Sequence, residues 1–315
     1  MDTTLQAMIR VELGPDVGMG HFYRMSVLAQ ALEKSGVKVR IFQAKDEPIP
    51  YDAADIIILD SYELSDAYIA TKNASNRLVV CYDDNALYEY SCDVVANANA
   101  YAAELPYRFG ARKPALCLGP QYALLREEFR ECHPATIREN AHKVFVCFGG
   151  ADIRGFSPIA LRALLSIPMI EIHLVLGEMT RCDEEVASLA SERVHLYKNP
   201  TKISEIMGQC DIAISAAGSS VYELASMGLP TILVVQADNQ AKIAEYLSRH
   251  KLMTSVGDWT QFQEEALCQE TKALLDDTAR RMRESIALRQ LVNKDGANKL
   301  AQELLRRFEI KMKEG

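Results

Sequence analysis

Short apolar runs alternate with amphipathic stretches along the chain, and the alternation starts afresh near residue 143. In the first half, Ala7–Leu13 reads as a strand. A Gly14-Pro15 break and a Gly18-Met19-Gly20 turn follow, and then Met25, Leu28, Ala29 and Leu32 fall on one face of a helix. Val37–Ala44, Asp55–Asp60, Leu78–Asp83 and Asp93–Asn97 read as further short strands, and Tyr122–Glu131 as a strongly patterned helix. In the second half, Lys143–Phe148, Ile170–Leu176, Asp211–Ser215 and Thr231–Val235 repeat the strand pattern. Helices are expected over Val221–Met227, Asp238–Arg249, Gln261–Gln290 and Gly296–Phe308. Near-continuous apolar strands separated by helices imply parallel sheets covered on both faces. The expectation is therefore an α/β protein of two Rossmann-type βαβ domains facing each other across a cleft. The polar, proline-broken stretch His133–Asn140 is the natural link, giving domains of 1–138 and 139–315.

Composition narrows the classes. The chain has 315 residues, 49% hydrophobic and 25% charged, enough for two ordinary cores. A net charge of -8 argues against a nucleic-acid partner, which calls for a basic stripe, but permits a local cradle for an anionic small molecule. The eight cysteines include no C-x-x-C pair, and several, such as Cys81 and Cys147, lie in apolar strands. They are expected to be reduced, buried thiols of a cytoplasmic protein. The opening Met-Asp-Thr-Thr-Leu-Gln lacks a signal-peptide pattern, and runs such as Asp55–Leu59 and Thr231–Val235 are too short to span a bilayer, so no membrane insertion is expected.

Two strand-end regions carry candidate chemistry. Gly218-Ser219-Ser220 stands where a strand turns into a helix, offering backbone N–H groups, two hydroxyls and a positive helix end, as a diphosphate requires. Glu223, one helical step on, can accept from ribose hydroxyls, and Gly149-Gly150 would form the opposite wall. The bland alternative is a serine N-cap followed by an acidic first turn. In the first half, His21 stands at the mouth of the first helix, and Asp60 and Tyr62 should emerge at the same edge. A carboxylate there can orient an imidazole and raise its basicity, and a phenol can hold a sugar hydroxyl or a water. Here the alternative is a capping loop beside a solvated strand-end acid. Tyr82-Asp83-Asp84-Asn85 has the look of an acidic metal cluster, but adjacent side chains at a strand end point apart, so no metal is expected. His133, His142, His173, His195 and His250 show no ligand spacing and read as structural or exposed.

Taken together, G-x-G-H-x-x-R (18–24), D-S-Y (60–62), C-D-V-V-A-N-A-N-A-Y-A (92–102), Y-A-L-L-R-E-E-F (122–129), F-G-G-A-D (148–152) and A-G-S-S-V-Y-E…D-N-Q (217–240) resemble one family. It is the UDP-2,4-diacetamido-2,4,6-trideoxy-β-L-altropyranose hydrolases of pseudaminic acid biosynthesis, relatives of the two-domain GT-B glycosyltransferases of the MurG type. The resemblance spans roughly residues 8–250. It implies hydrolysis of a UDP-sugar at its anomeric carbon, with inversion, water as nucleophile, and neither metal nor cofactor. It also implies catalytic roles for His21, Tyr62, Asp60 and Asn239, with Asn239 beside the diphosphate. Nucleotide contacts would come from Gly149, Gly150, Gly218, Ser219, Ser220, Glu223 and Gln240, and sugar contacts from Gly20 and Arg24. The uracil pocket is expected near Tyr197–Ile203. Two positions depart from the family: Glu12, where an Asp is usual, and Ser61, where some members carry a histidine. A sugar transferase of the same fold and a non-catalytic nucleotide-sugar binder are the competing readings.

Overall fold

The apolar runs of the first half are buried on both faces because alternate residues serve two different cores. A computed structural model of the chain describes residues 4–12, 19–73 and 76–314. In chain order the first region contains β1 (Gln6–Val11), α1 (Gly20–Lys34), β2 (Lys38–Gln43), β3 (Ile56–Asp60), α2 (Asp66–Lys72), β4 (Leu78–Tyr82), β5 (Glu89–Tyr90), β6 (Val94–Asn97), β7 (Arg108–Phe109) and β8 (Ala115–Leu118). Six of these strands form a parallel sheet in the order β2-β1-β3-β4-β6-β8. Ile56, Ile58 and Val80 face one core with Met25, Leu28 and Leu32 of α1. Ile57, Leu59 and Val79 face the other, with Ile69 of α2.

The second region begins with α3 (Glu127–Glu131) and β9 (Lys143–Cys147), then α4 (Phe156–Leu165), β10 (Glu171–Leu176), α5 (Asp183–Ser188), β11 (Val194–Lys198) and α6 (Ile203–Gln209). It continues through β12 (Ile212–Ala216), α7 (Ser220–Met227), β13 (Thr231–Val235), α8 (Ala241–Arg249), β14 (Thr254–Asp258), α9 (Glu264–Asp276) and α10 (Thr278–Leu291). Its sheet runs β11-β10-β9-β12-β13-β14, all parallel. Numbered within the domain this is the 3-2-1-4-5-6 order of a Rossmann sheet, and the first domain's order is 2-1-3-4-5-6. No helix among the described residues is long and apolar enough to cross a membrane.

The chain divides into Met1–Arg126 with Asn293–Gly315 as one domain and Glu127–Val292 as the other, which corrects the expected 138/139 boundary in two ways. First, α11 (Gly296–Glu314) belongs with the first domain. Its Ala297, Leu300, Ala301, Leu304 and Phe308 form one apolar stripe that completes the core beside α1, and each large side chain so buried contributes roughly 1.5–3 kcal/mol. Second, the expected helix Tyr122–Glu131 is helical only from Glu127. Ala123 and Leu125 are buried in non-helical chain, and a Cβ on Gly296 would lie 2.5 Å from the Ala123 carbonyl oxygen. The close approach of α11 to this backbone takes up Tyr122–Arg126, while Glu127–Phe129 starts the second domain. The proposed link His133–Asn140 is instead part of that second domain, held by Ala135 N–H on the Met227 carbonyl at 2.8 Å and by Arg138 on Asp211 at 2.8 Å.

Candidate functional site

In the first domain the sheet order reverses between β1 and β3, and ligands of open α/β sheets bind outside the carboxyl ends at such a point. That edge carries a largely buried network of charged side chains. Asp60 ends β3 and is fully buried; its Oδ1 lies 2.7 Å from His21 Nδ1. Arg24, one turn beyond His21 on α1, donates from Nε to Asp60 Oδ2 at 2.8 Å and from Nη2 to Asp60 Oδ1. Its Nη1 reaches both oxygens of Asp84, at 3.0 and 2.8 Å, and the guanidinium lies 4.6 Å from the Tyr82 ring centre. Tyr62 donates to Asp84 Oδ2 at 2.8 Å and sets its ring edge-on to His21, centroids 4.7 Å apart.

Electrostatics keep Asp60 and Arg24 charged. Burial pushes the Asp60 carboxyl upward, but the Arg24 charge and the His21 contact outweigh it and bring its pKa down to about 2. Burial likewise acts against the Arg24 charge, yet Asp60 and Asp84 hold its pKa well above the ordinary value. An ionised Asp60 can only accept, so His21 Nδ1 carries the proton and donates it. Arg24 Nη2, 3.0 Å from the same nitrogen, is then a close neighbour and not a donor to it. The basic lone pair is left on His21 Nε2, which makes no hydrogen bond to any described residue.

The sequence reading placed Asp60 and Tyr62 at the edge of His21, and the structure brings these three together; Arg24, expected as a sugar contact, joins them with its guanidinium engaged by Asp60 and Asp84. His21 and Asp60 are both buried, so the alternative of a capping loop beside a solvated strand-end acid does not hold. Gly20 opens α1; Gly18 and the Gly14-Pro15 break lie outside the described residues. Asp84 was not expected in the site. Asp83 and Asp84 do diverge, as reasoned: Asp83 accepts from Tyr90 Oη at 2.6 Å and Ala86 N–H at 2.9 Å, while Asp84 joins the Arg24 network. Asn99 donates to Asp84 Oδ1 at 2.7 Å and Tyr101 to the Asp84 carbonyl at 3.1 Å. The 92–102 block was therefore the available signal for Asp84. The two family departures also meet each other: Ser61 Oγ and Tyr62 N–H donate to the same Glu12 oxygen, at 2.8 and 2.7 Å.

The second domain's order reverses between β9 and β12, and its edge is made of different material. Gly149 and Gly150 follow β9, and Gly218, Ser219 and Ser220 lead from β12 into α7. Ser219 occupies the N-cap position but its side chain makes no cap hydrogen bond, so the plain capping alternative is not what forms here. A Cβ on Gly177, after β10, would lie 2.4 Å from Gly150 Cα, so two glycine backbones are in contact along this edge. Glu223 lies in the first turn of α7. Gln240 accepts from Gln236 N–H at 2.9 Å, and Gln236 Nε2 donates to Asp152 Oδ1 at 3.1 Å. Asp152 in turn caps α4 at Phe156 and Ser157 N–H, both 2.8 Å. Asp152 and Gln236, which the sequence reading did not assign, thus tie the ends of β9 and β13 together. Asn239 lies exposed in the short turn between β13 and α8. Tyr197 is the last residue but one of β11, its hydroxyl 3.1 Å from His173 Nδ1, and the loop of the expected uracil pocket begins at 199.

Two parallel Rossmann-type domains with their candidate residues at the reversal points define the GT-B class, and the chain has the GT-B fold. The crystal structure of Acinetobacter baumannii MurG superposes with a TM-score of 0.66 at 14% identity, covering 96% of this chain and 99% of that one. The Glycosyltransferase family 28 C-terminal domain matches residues 165–304. Among curated proteins the resemblance to the hydrolases is borne out. The Campylobacter jejuni UDP-2,4-diacetamido-2,4,6-trideoxy-β-L-altropyranose hydrolase is 23% identical over 269 residues, 78% of this chain and 97% of that protein. An uncharacterized protein of Methanocaldococcus jannaschii is 25% identical over 264 residues, 71% of this chain, and the matched part spans 54% of that longer protein.

Proposed function

We propose that the chain hydrolyses a UDP-linked diacetamido-trideoxyhexose at its anomeric carbon, releasing UDP and the free, inverted sugar for pseudaminic acid synthesis. The observation that carries this reading is the 2.7 Å contact of His21 Nδ1 with a fully buried, ionised Asp60, which leaves Nε2 as a proton acceptor. His21 Nε2 takes a proton from water as the water oxygen bonds to C1. The C1–O bond to the diphosphate breaks, and its electron pair leaves with UDP. General-base help of this kind contributes typically about 10²–10⁴-fold.

The surrounding charges suit that step. Two carboxylates face one guanidinium, so the network is short of one positive charge until His21 becomes an imidazolium. Proton capture then completes the balance inside a water-poor site, where such terms are strong. Tyr62, oriented by Asp84, positions the water or the sugar. In the second domain the N–H groups and hydroxyls of Gly218, Ser219 and Ser220 receive the charge developing on the β-phosphate, assisted by the helix end. Asn239 donates to the phosphates, and Glu223 accepts from the ribose. With UDP already a good leaving group, this set supports the reaction without a metal.

The likeness to MurG and to a glycosyltransferase domain supports a second reading, transfer of the sugar to a hydroxyl acceptor. One assay separates them. Pure protein is incubated with the UDP-sugar and no acceptor, and UDP and the first-formed anomer are measured. Fast release with inversion is expected. Slow release that an alcohol acceptor accelerates would replace the hydrolase with the transferase, and binding without turnover would leave a nucleotide-sugar binder.

A further inference from the structure

At the amino ends of the second sheet, away from the glycine-rich edge, three side chains converge that nothing in the proposed reaction uses. β9, β10 and β11 pair in parallel with Lys143 beside Glu171 and His173 beside His195. Residues two apart on a strand share a face, so Glu171 and His173 emerge together, opposite Ile172 and Leu174 in the core. Glu171 Oε1 lies 2.9 Å from His195 Nε2 and 3.2 Å from His173 Nε2, and the three atoms all lie within 4.8 Å of one another. His173 and His195, expected as structural or exposed without ligand spacing, are buried and exposed respectively and stand side by side. Their spacing in sequence says nothing, because the register of two strands brings them together.

His173 is only 3% exposed, yet among the described residues its Nε2 makes no well-formed hydrogen bond and has only the 3.2 Å approach of Glu171 Oε1. Its other nitrogen, Nδ1, lies 3.1 Å from Tyr197 Oη, so with a cation between Nε2 and Glu171 the Nδ1–H can donate to the phenol and leave the Nε2 lone pair to the metal. That is how metal-ligating imidazoles are usually oriented, by a hydrogen bond on the far nitrogen. Lys143 Nζ lies 3.2 Å from Glu171 Oε2 and 3.4 Å from Oε1, so it can stay with Oε2 while Oε1 turns to a cation.

We propose that Glu171 Oε1, His173 Nε2 and His195 Nε2 form a binding site for a divalent first-row transition metal of the zinc type, its fourth position open to water. Two imidazoles with one carboxylate suit zinc or cobalt, and such ligands do not suit magnesium or calcium. β11 is an edge strand whose residues are all at least partly exposed, so the metal fastens it to β10. Its role is stability and not the chemistry at the opposite edge.

The test uses tag-free full-length protein stripped with EDTA, titrated with zinc by calorimetry and with cobalt by visible absorption. One equivalent should bind with micromolar or tighter affinity, cobalt should show the intense d–d bands of four-coordination, and zinc should raise the thermal midpoint by roughly several degrees. His195→Ala, at an exposed position, and Glu171→Gln should each fold as the parent does by circular dichroism and bind zinc at least roughly 100-fold more weakly. Failure of the parent to bind one equivalent would overturn the proposal, as would His195→Ala binding as tightly as the parent.

Discussion

The two sheets place their candidate sites at the same topological position and build them from opposite materials. The first domain's reversal point is wired with charged side chains: His21, Arg24, Asp60 and Asp84 hold one another by hydrogen bonds, with Asp60 and Arg24 kept charged. The second domain's reversal point is mostly backbone, with glycines in contact and serines at a helix start. A network of side chains can polarise one atom, which catalysis of proton transfer requires. A bare backbone edge gives close approach and N–H donors, which an anionic leaving group requires. The contrast predicts that damage to the first edge shows in turnover and stability, and damage to the second in affinity.

The largest effect expected is on turnover. His21→Ala should lower hydrolysis by about 10²–10⁴-fold while UDP affinity, measured calorimetrically, stays near that of the parent. A variant that keeps most of its turnover removes His21 as the base. Next comes Arg24→Met, which leaves Asp60 and Asp84 without their cation. Breaking a buried pair from one side costs about 3–5 kcal/mol, so urea unfolding should show the first domain melting early. An unchanged profile would mean the network contributes nothing to that domain.

A somewhat smaller effect follows from pH. Asp60 has a pKa of about 2 in the fold, below the unfolded carboxylate value, so its stabilisation is complete above about pH 4 and is lost as pH falls through about 2. The shift corresponds to about 2 kcal/mol. Stability measured against pH in this window should therefore fall less steeply in Asp60→Asn than in the parent. Smallest is Ser219→Ala, which removes one hydroxyl from the second edge. UDP affinity should fall by roughly 2–12-fold, the net value of one ordinary hydrogen bond, with unfolding unaltered. Loss of stability in Ser219→Ala with affinity intact would reverse the comparison.

Much of this was readable from the chain. Strand positions followed from apolar runs such as Ile56–Leu59, whose burial on both faces leaves little room for another reading. His21, Asp60 and Tyr62 could be placed together because strand ends and helix starts share one edge of a parallel sheet. What stayed hidden depended on contacts between distant residues. Tyr122–Glu131 has helical spacing, but its first half is taken up by α11 and its second half belongs to another domain. Asp84 looked like half of an acidic pair until Arg24, sixty positions away in sequence, was seen to claim it. Glu12 and Ser61 appeared as two independent departures and are one hydrogen-bonded pair. Glu171, His173 and His195 needed the strand register, which no local pattern encodes.

The central claim is that water, activated in the first domain, attacks carbon and not phosphorus. Hydrolysis of the UDP-sugar in ¹⁸O-enriched water, followed by mass spectrometry of both products at early times, tests it most directly. The account predicts unlabelled UDP and ¹⁸O at the anomeric position of the released sugar; ¹⁸O in the β-phosphate of UDP would contradict it.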